Sequence, residues 1–267
     1  MSTAPRTPAA TGVLYLVPTP LDFGVDGSLP LSGWLPDATL QVASRLTRWI
    51  TENAKSTRAF LKRVDAVHPL TSPLQSLLIA ELPRAAHKKG DHLPDAALDR
   101  AARELLEPAL QGHDMGLVSE AGMPAVADPG SAVVRAAHAM GLTVMPLVGP
   151  VSLMLALAAS GLNGQQFAFV GYVPQDASER SQRLRALEGT ALKLQQAQLL
   201  IETPYRNAAL LAALVQTLQP GTRLAVAAGL GLPQQAIRSA PVAAWRQHPQ
   251  WAAALPLSLP AVFMLGG

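Results

Sequence analysis

The chain has 267 residues, enough for one large domain or two of ordinary size, and 49% apolar residues supply a core for each. It contains no cysteine, which excludes disulfides, thiolate catalysis and the usual structural zinc or iron–sulfur sites. A formal net charge of +3 with 15% charged residues does not by itself indicate a nucleic-acid partner, so any such reading rests on local patches.

Residues 1–11 carry Ser, Thr, Ala and Pro with one arginine and no apolar stretch, and read as a mobile tail with no export signal. The longest apolar stretch, residues 151–162, spans about a dozen residues where a membrane-crossing helix needs roughly 20. It reads as a buried helix, and the protein as soluble and cytoplasmic with no membrane partner.

Short apolar runs at residues 13–17, 49–52, 77–82, 116–119, 143–147, 167–172, 198–202, 223–228 and 261–265 read as strands. Between them, residues 95–110, 131–140, 151–160, 178–187 and 206–218 have helical spacing and few breakers. This alternation predicts an α/β fold of two domains, each a largely parallel or mixed sheet flanked by helices, because nine strands suit two sheets better than one. Helix ends carry recognisable chemistry: Asp176 with Glu179 has capping-box spacing, Gly141 and Gly161 follow helices, and Gly149-Pro150 opens one. The break at Leu147-Val148-Gly149-Pro150 is the expected hinge, giving an N-terminal domain at 12–148 and a C-terminal domain at 149–267.

The densest signal is the stretch from Gly116 to Gly130, a short apolar strand running into a loop rich in Gly and Pro with two acids. Gly122 permits close approach of backbone to a ligand, and Glu120 or Asp128 suits a cationic or hydroxylated one; an ordinary strand-to-helix connection is the competing account. A second candidate, Glu202-Thr-Pro-Tyr-Arg-Asn207, gathers polar side chains after a strand, where open α/β sheets bind ligands. Here the competing account makes Thr203 or Pro204 a helix-entry device and Glu202 with Arg206 a local ion pair. In the third, Lys55, Arg58 and Lys62 fall at i, i+3 and i+7 on one helix face beginning just after Glu52, a stripe that meets phosphates or is simply solvated. Arg180, Arg183 and Arg185 add charge on a later helix, and Phe60 and Tyr205 are the few aromatics near such charges.

Dinucleotide, phosphate-loop, zinc-protease and serine-hydrolase signatures are missing; the only G-x-G, Gly229-Leu-Gly231, has Gln234 where a third glycine belongs. The six histidines, His68, His87, His92, His113, His138 and His248, are scattered, and no metal is expected.

Taken together, Leu14-Tyr-Leu-Val-Pro-Thr-Pro20, Gly116-Leu-Val-Ser-Glu-Ala-Gly-Met-Pro, Ala127-Asp-Pro-Gly130, Pro146-Leu-Val-Gly-Pro150 with Ala159-Ser-Gly-Leu162, and Glu202-Thr-Pro-Tyr-Arg206 resemble the ordered motifs of the tetrapyrrole methylase superfamily. The branch is that of the bacterial ribosomal RNA ribose 2′-O-methyltransferase I, and the resemblance runs from about Gly12 to Gly267. It implies a homodimer of two-domain chains that hold S-adenosylmethionine in a cleft between the domains. By motif, the cofactor-binding residues are Pro18, Ser119, Glu120, Gly122, Met123, Ser152, Leu153, Ile201 and Ala228. Glu52 and Arg206 are the catalytic candidates, and Lys55, Arg58, Lys62, Glu202 and Tyr205 the substrate-binding ones. The implied activity is methyl transfer to RNA, with a small molecule such as a tetrapyrrole as the alternative acceptor and a non-catalytic cofactor- or RNA-binding module as the other.

The chain departs from the family pattern at four places. Glu52-Asn-Ala-Lys55 stands for Glu-Asp-Thr-Arg, Ala227-Ala-Gly-Leu-Gly231 for Ala-Arg-Glu-Leu-Thr, Glu120 for Asp and Met123 for Thr. These departures mark a diverged paralogue with altered substrate-facing residues.

Overall fold

A computed structural model describes residues 10–22, 29–83, 91 and 93–267. Most of the expected tail, together with His87 and His92, lies outside the described residues. The chain falls into two compact units, Met1–Pro150 and Val151–Gly267.

The first unit holds a five-stranded, wholly parallel sheet built from β1 (Val13–Val17), β2 (Arg48–Thr51), β3 (Leu78–Glu81), β4 (Met115–Val118) and β5 (Thr143–Pro146), in the order β3-β2-β4-β1-β5. Successive side chains of a strand point to opposite faces, and the two cores follow from that alternation. Tyr15, Val17, Trp49 and Val118 face α1 (Asp37–Arg45) and α2 (Ala54–Asp65), which contribute Leu40, Ala43, Phe60, Leu61 and Val64. Leu14, Ile50 and Leu117 face α3 (Ala96–Leu110) and α4 (Ser131–Ala139), which contribute Leu98, Ala102, Leu106, Val133, Ala136 and Ala137. Buried aliphatic and aromatic side chains contribute about 1.5–3 kcal/mol each, so the apolar strand runs bind both helical layers. Helix α1 was not among the expected elements.

The second unit holds a mixed sheet of β6 (Phe167–Phe169), β7 (Ala197–Ile201), β8 (Arg223–Ala228), β9 (Ala236–Pro241) and β10 (Ala261–Gly266), in the order β6-β7-β10-β8-β9. Only β6 and β7 pair in parallel; every other pair is antiparallel. Helix α5 (Ser152–Ser160) packs on one face, against β8, β9 and β10. On the other, α6 (Ala177–Leu194), α7 (Asn207–Thr217) and α8 (Val242–Gln247) enclose a core of Leu184, Leu187, Leu210, Leu214, Val226 and Phe263; a last short helix, α9 (Gln250–Ala253), follows. Asp176 caps α6, accepting from the amides of Ser178 and Glu179 at 2.9 Å each, as its spacing with Glu179 predicts.

The expectation of a buried helix over residues 151–162 is corrected for one face of α5. Leu153, Ala156, Leu157 and Ser160 are buried at i, i+3, i+4 and i+7, whereas Met154 and Leu155 lie 40% and 44% exposed on the opposite face. Hydrophobicity all round the helix hid the fact that one sheet covers only one side of it.

Candidate functional site

In the first unit, the sheet's topology creates a crevice. From β1 the chain passes to α1 on one face, and from the adjacent β4 it passes to α4 on the other, so the loops diverge at the β1 and β4 carboxyl ends. That is the switch point at which open α/β sheets bind ligands. The loops meet there in an isolated bridge: Thr19 N donates to Gly122 O at 2.9 Å and Gly122 N donates to Thr19 O at 3.1 Å. Gly122 adopts φ +81°, and a Cβ on it would come within 3.1 Å of Leu21 Cδ2. Pro18 and Gly149 pack against each other beside the bridge. Pro18, Ser119 and Gly122 thus share one strand edge, with the exposed Glu120 and half-buried Met123 beside them.

Glu52 joins this edge from β2. Thr51 pairs in register with Val118, which puts Glu52 and Ser119 at adjoining strand ends. Glu52 Oε1 and Ser119 Oγ are both buried without a hydrogen-bond partner among the described residues. Burial, followed by the negative charges of Asp128, Glu120 and Asp91, pushes the Glu52 carboxyl from 4.5 up to about 8, so it keeps its proton at neutral pH. Burial also raises Asp128 to about 6; the nearby Ser119 hydroxyl opposes that shift, though it falls short of hydrogen-bond geometry. Two orphaned oxygens among carboxyls suit a cation that carries hydroxyl or amine donors, as a sulfonium nucleoside does.

Asp91 escaped the sequence reading. Its Oδ2 accepts from the amides of Gly130 at 2.8 Å and Ala132 at 3.0 Å, closing the N-terminus of α4 from 39 residues away. Glycine at the N-cap supplies no side chain for that purpose, and nothing local in the sequence marks a cap so distant. Asn53, where the family pattern has Asp, caps α2 by accepting from Lys55 N at 2.9 Å and Ser56 N at 3.4 Å. Beyond it Lys55, Arg58 and Lys62 are all exposed on α2, whereas Arg63 is held by Asp22 at 2.8 Å.

In the second unit β7 and β8 both run antiparallel to the β10 strand between them, so their carboxyl ends share an edge. Ile201 ends one, with Glu202 following it, and Ala228 ends the other; the Ala228 side chain is core. Glu202 is buried and accepts from Thr203 N at 2.7 Å and Arg206 at 2.7 Å. The Arg206 guanidinium lies 5.3 Å from the Tyr205 ring centroid, and Tyr205 is 80% exposed. The local ion pair is therefore formed, and it occupies Arg206. Ser152 begins α5, and Leu153 is buried beneath it. Among the described residues no group of three or more His, Asp or Glu has the disposition to hold a metal ion, and no helix is long and apolar enough to cross a membrane.

Residues 48–244 match the family Tetrapyrrole (Corrin/Porphyrin) Methylases. Curated relatives include proteins named Ribosomal RNA small subunit methyltransferase I. That of Micromonospora olivasterospora is 33% identical over 210 residues, covering 79% of this chain and 57% of the relative. That of Bacillus subtilis (strain 168) is 30% identical over 207 residues, covering 78% and 60%. The matched stretch spans little more than half the length of such relatives, 56% for that of Halalkalibacterium halodurans. Among solved structures, the methyltransferase CobJ aligns with a TM-score of 0.52 at 19% identity over 97% of this chain and 95% of the other. The uroporphyrin-III-C-methyltransferase of Thermus thermophilus aligns with a TM-score of 0.50 at 19% identity, over 96% and 94%. Both share the fold.

Proposed function

The chain belongs to the tetrapyrrole (corrin/porphyrin) methylase family, and from that premise we propose that it is an S-adenosylmethionine-dependent methyltransferase acting on RNA, as a homodimer. The observation that carries the reading is the pair of orphaned oxygens, Glu52 Oε1 and Ser119 Oγ, at the carboxyl ends of β2 and β4 beside the β1/β4 switch point. Pro18, Ser119, Glu120, Gly122 and Met123 are the first unit's cofactor residues. When bound, the cofactor supplies an activated methyl group on a sulfonium.

Two further features favour RNA over a carboxylated macrocycle. Glu52, Asp91, Glu120 and Asp128 interact at the crevice, and this cluster of acids disfavours an acceptor ringed with carboxylates. The exposed Lys55, Arg58 and Lys62 stripe on α2 starts three residues beyond Glu52, where it suits a phosphate chain whose hydroxyl enters the acidic crevice. For the homodimer, the exposed Met154 and Leu155 on α5 offer an apolar contact face.

Calorimetric titration with S-adenosylmethionine, followed by transfer of its tritiated methyl group to small-subunit ribosomal RNA, tests the reading. Binding with transfer supports it; transfer to a tetrapyrrole alone selects the alternative acceptor, and binding without any transfer selects the non-catalytic module. In the RNA case, a Lys55→Ala, Arg58→Ala, Lys62→Ala variant lowers the slope of log affinity against log salt by about 2–3. An unchanged slope returns the stripe to a merely solvated face.

A further inference from the structure

The pair of orphaned oxygens marks the cofactor crevice, and Glu52 is the ionisable member of that pair, whose chemistry the cofactor reading does not assign. Its carboxyl sits at the end of β2 with one oxygen buried and unpartnered, next to the buried and equally unpartnered Ser119 hydroxyl on the adjoining strand end. A hydrogen-bond acceptor buried without a donor costs roughly 1–3 kcal/mol, and such a group is retained where a ligand supplies the missing donor. The neighbours are arranged around it. Asp91 is tied to the amides of α4, and Glu81 at the end of β3 accepts from Ala54 N at 2.8 Å. Asp128 and Glu120 approach from the loop after β4, and Lys55, the nearest cation in sequence, is exposed on α2.

We infer that Glu52 is the catalytic residue that removes the proton from the acceptor hydroxyl during methyl transfer, with Asp128 acting on it through its charge. The inference rests on the methyltransferase reading above. The acceptor oxygen uses its own electron pair to bond the methyl carbon, the pair of the breaking carbon–sulfur bond stays on sulfur, which leaves neutral, and the hydroxyl proton passes to the Glu52 carboxylate. Atoms and charge balance without a further reactant. A carboxylate raised to about 8 is a far stronger base than an ordinary one, and it works in the ionised fraction that grows as the pH rises. Burial first, and then the acids that face it, keep its basicity high.

The test is methyl transfer from S-adenosylmethionine to small-subunit ribosomal RNA between pH 6 and 9.5, with wild type, Glu52→Gln and Asp128→Asn, cofactor affinity being measured alongside. Wild type gives a kcat/KM that rises with a midpoint near 8. Glu52→Gln, nearly isosteric, lowers kcat by about 100-fold or more at pH 8.5 with cofactor affinity within twofold, and loses the rising limb. Asp128→Asn keeps the limb but moves its midpoint to lower pH, since one of the charges that raise Glu52 is gone; a merely structural residue does not produce that displacement. Transfer by wild type with Glu52→Gln unchanged in kcat and limb overturns the assignment alone. An unmoved midpoint in Asp128→Asn also overturns it, whether or not Glu52→Gln folds. No transfer by wild type overturns the RNA reading and this assignment with it.

Discussion

Gly149 and Pro18 approach so closely that a methyl group does not fit between them. A Cβ on Gly149 would stand 2.3 Å from Cγ and 2.5 Å from Cβ of the proline ring, and 3.0 Å from Leu35 Cδ2. The atoms in the way belong to a rigid ring and a buried leucine, so the loops after β1 and β5 would have to part. Gly149→Ala is expected to cost about 1–3 kcal/mol, seen as a lower urea midpoint at constant m. An unchanged midpoint would show that the two loops separate freely.

Asp91 holds the first turn of α4 through two amide hydrogen bonds, at 2.8 Å and 3.0 Å. Asp91→Ala is expected to lower stability by about 1–2 kcal/mol, the scale of a lost cap, and Asp91→Asn by less because its carbonyl still accepts. Because the Asp91 charge helps to raise Glu52, carbon-13 carboxyl titration of Asp91→Asn should find Glu52 at lower pH than in wild type. Equal Glu52 midpoints would remove Asp91 from that electrostatic group.

Glu52 makes stability depend on pH in a definite direction. Its pKa is higher folded, about 8, than the ordinary 4.5 of the unfolded chain, so between those values the folded state binds the extra proton and stability falls as pH rises. The favourable contribution is complete below 4.5 and lost once the pH passes about 8. Glu52→Gln is neutral throughout and lacks that loss. Its urea midpoint, relative to wild type, should climb steadily from pH 4.5 to 8.5; a constant difference would place Glu52 in water in the folded protein.

Leu155 and Leu157 separate the two sides of α5. Leu157 is 6% exposed against the sheet, and Leu157→Ala should cost about 2–5 kcal/mol. Leu155, at 44% exposed, should tolerate Asp in the folded protomer, with thermal melting changed by at most a few degrees. A collapse of the Leu155→Asp melt at concentrations where the protein is monomeric would show that its outer face is covered within the chain.

Where strand and helix alternated with clean apolar runs, the elements were legible: β1 and β8 span the residues their patterns predict, and Asp176 caps the helix that its spacing announces. What stayed hidden was set by distant partners. Strand β9, Ala236–Pro241, has no run of branched or aromatic residues, and it forms because β8 offers an antiparallel edge after the turn at Gly229 and Gly231. The candidate site was legible in its loops, since Ser119, Gly122 and Glu52 stand at strand ends, but not in its electrostatics. The high Glu52 pKa comes first from burial and then from Asp128, Glu120 and Asp91, the last of which sits 39 residues before the N-cap Gly130 and outside any recognisable motif.

Strand β10 lies in the middle of its sheet, hydrogen-bonded to β7 on one side and β8 on the other. During synthesis β7, β8 and β9 emerge first, and until residues 261–266 follow, β7 and β8 each present an unpaired inner edge. Open edges of this kind pair with other chains. The second unit therefore passes through an aggregation-prone interval that ends when β10 inserts, and a ribosome stalled before Ala261 would release a fragment exposed to mispairing and to proteolysis, however well the first unit had folded.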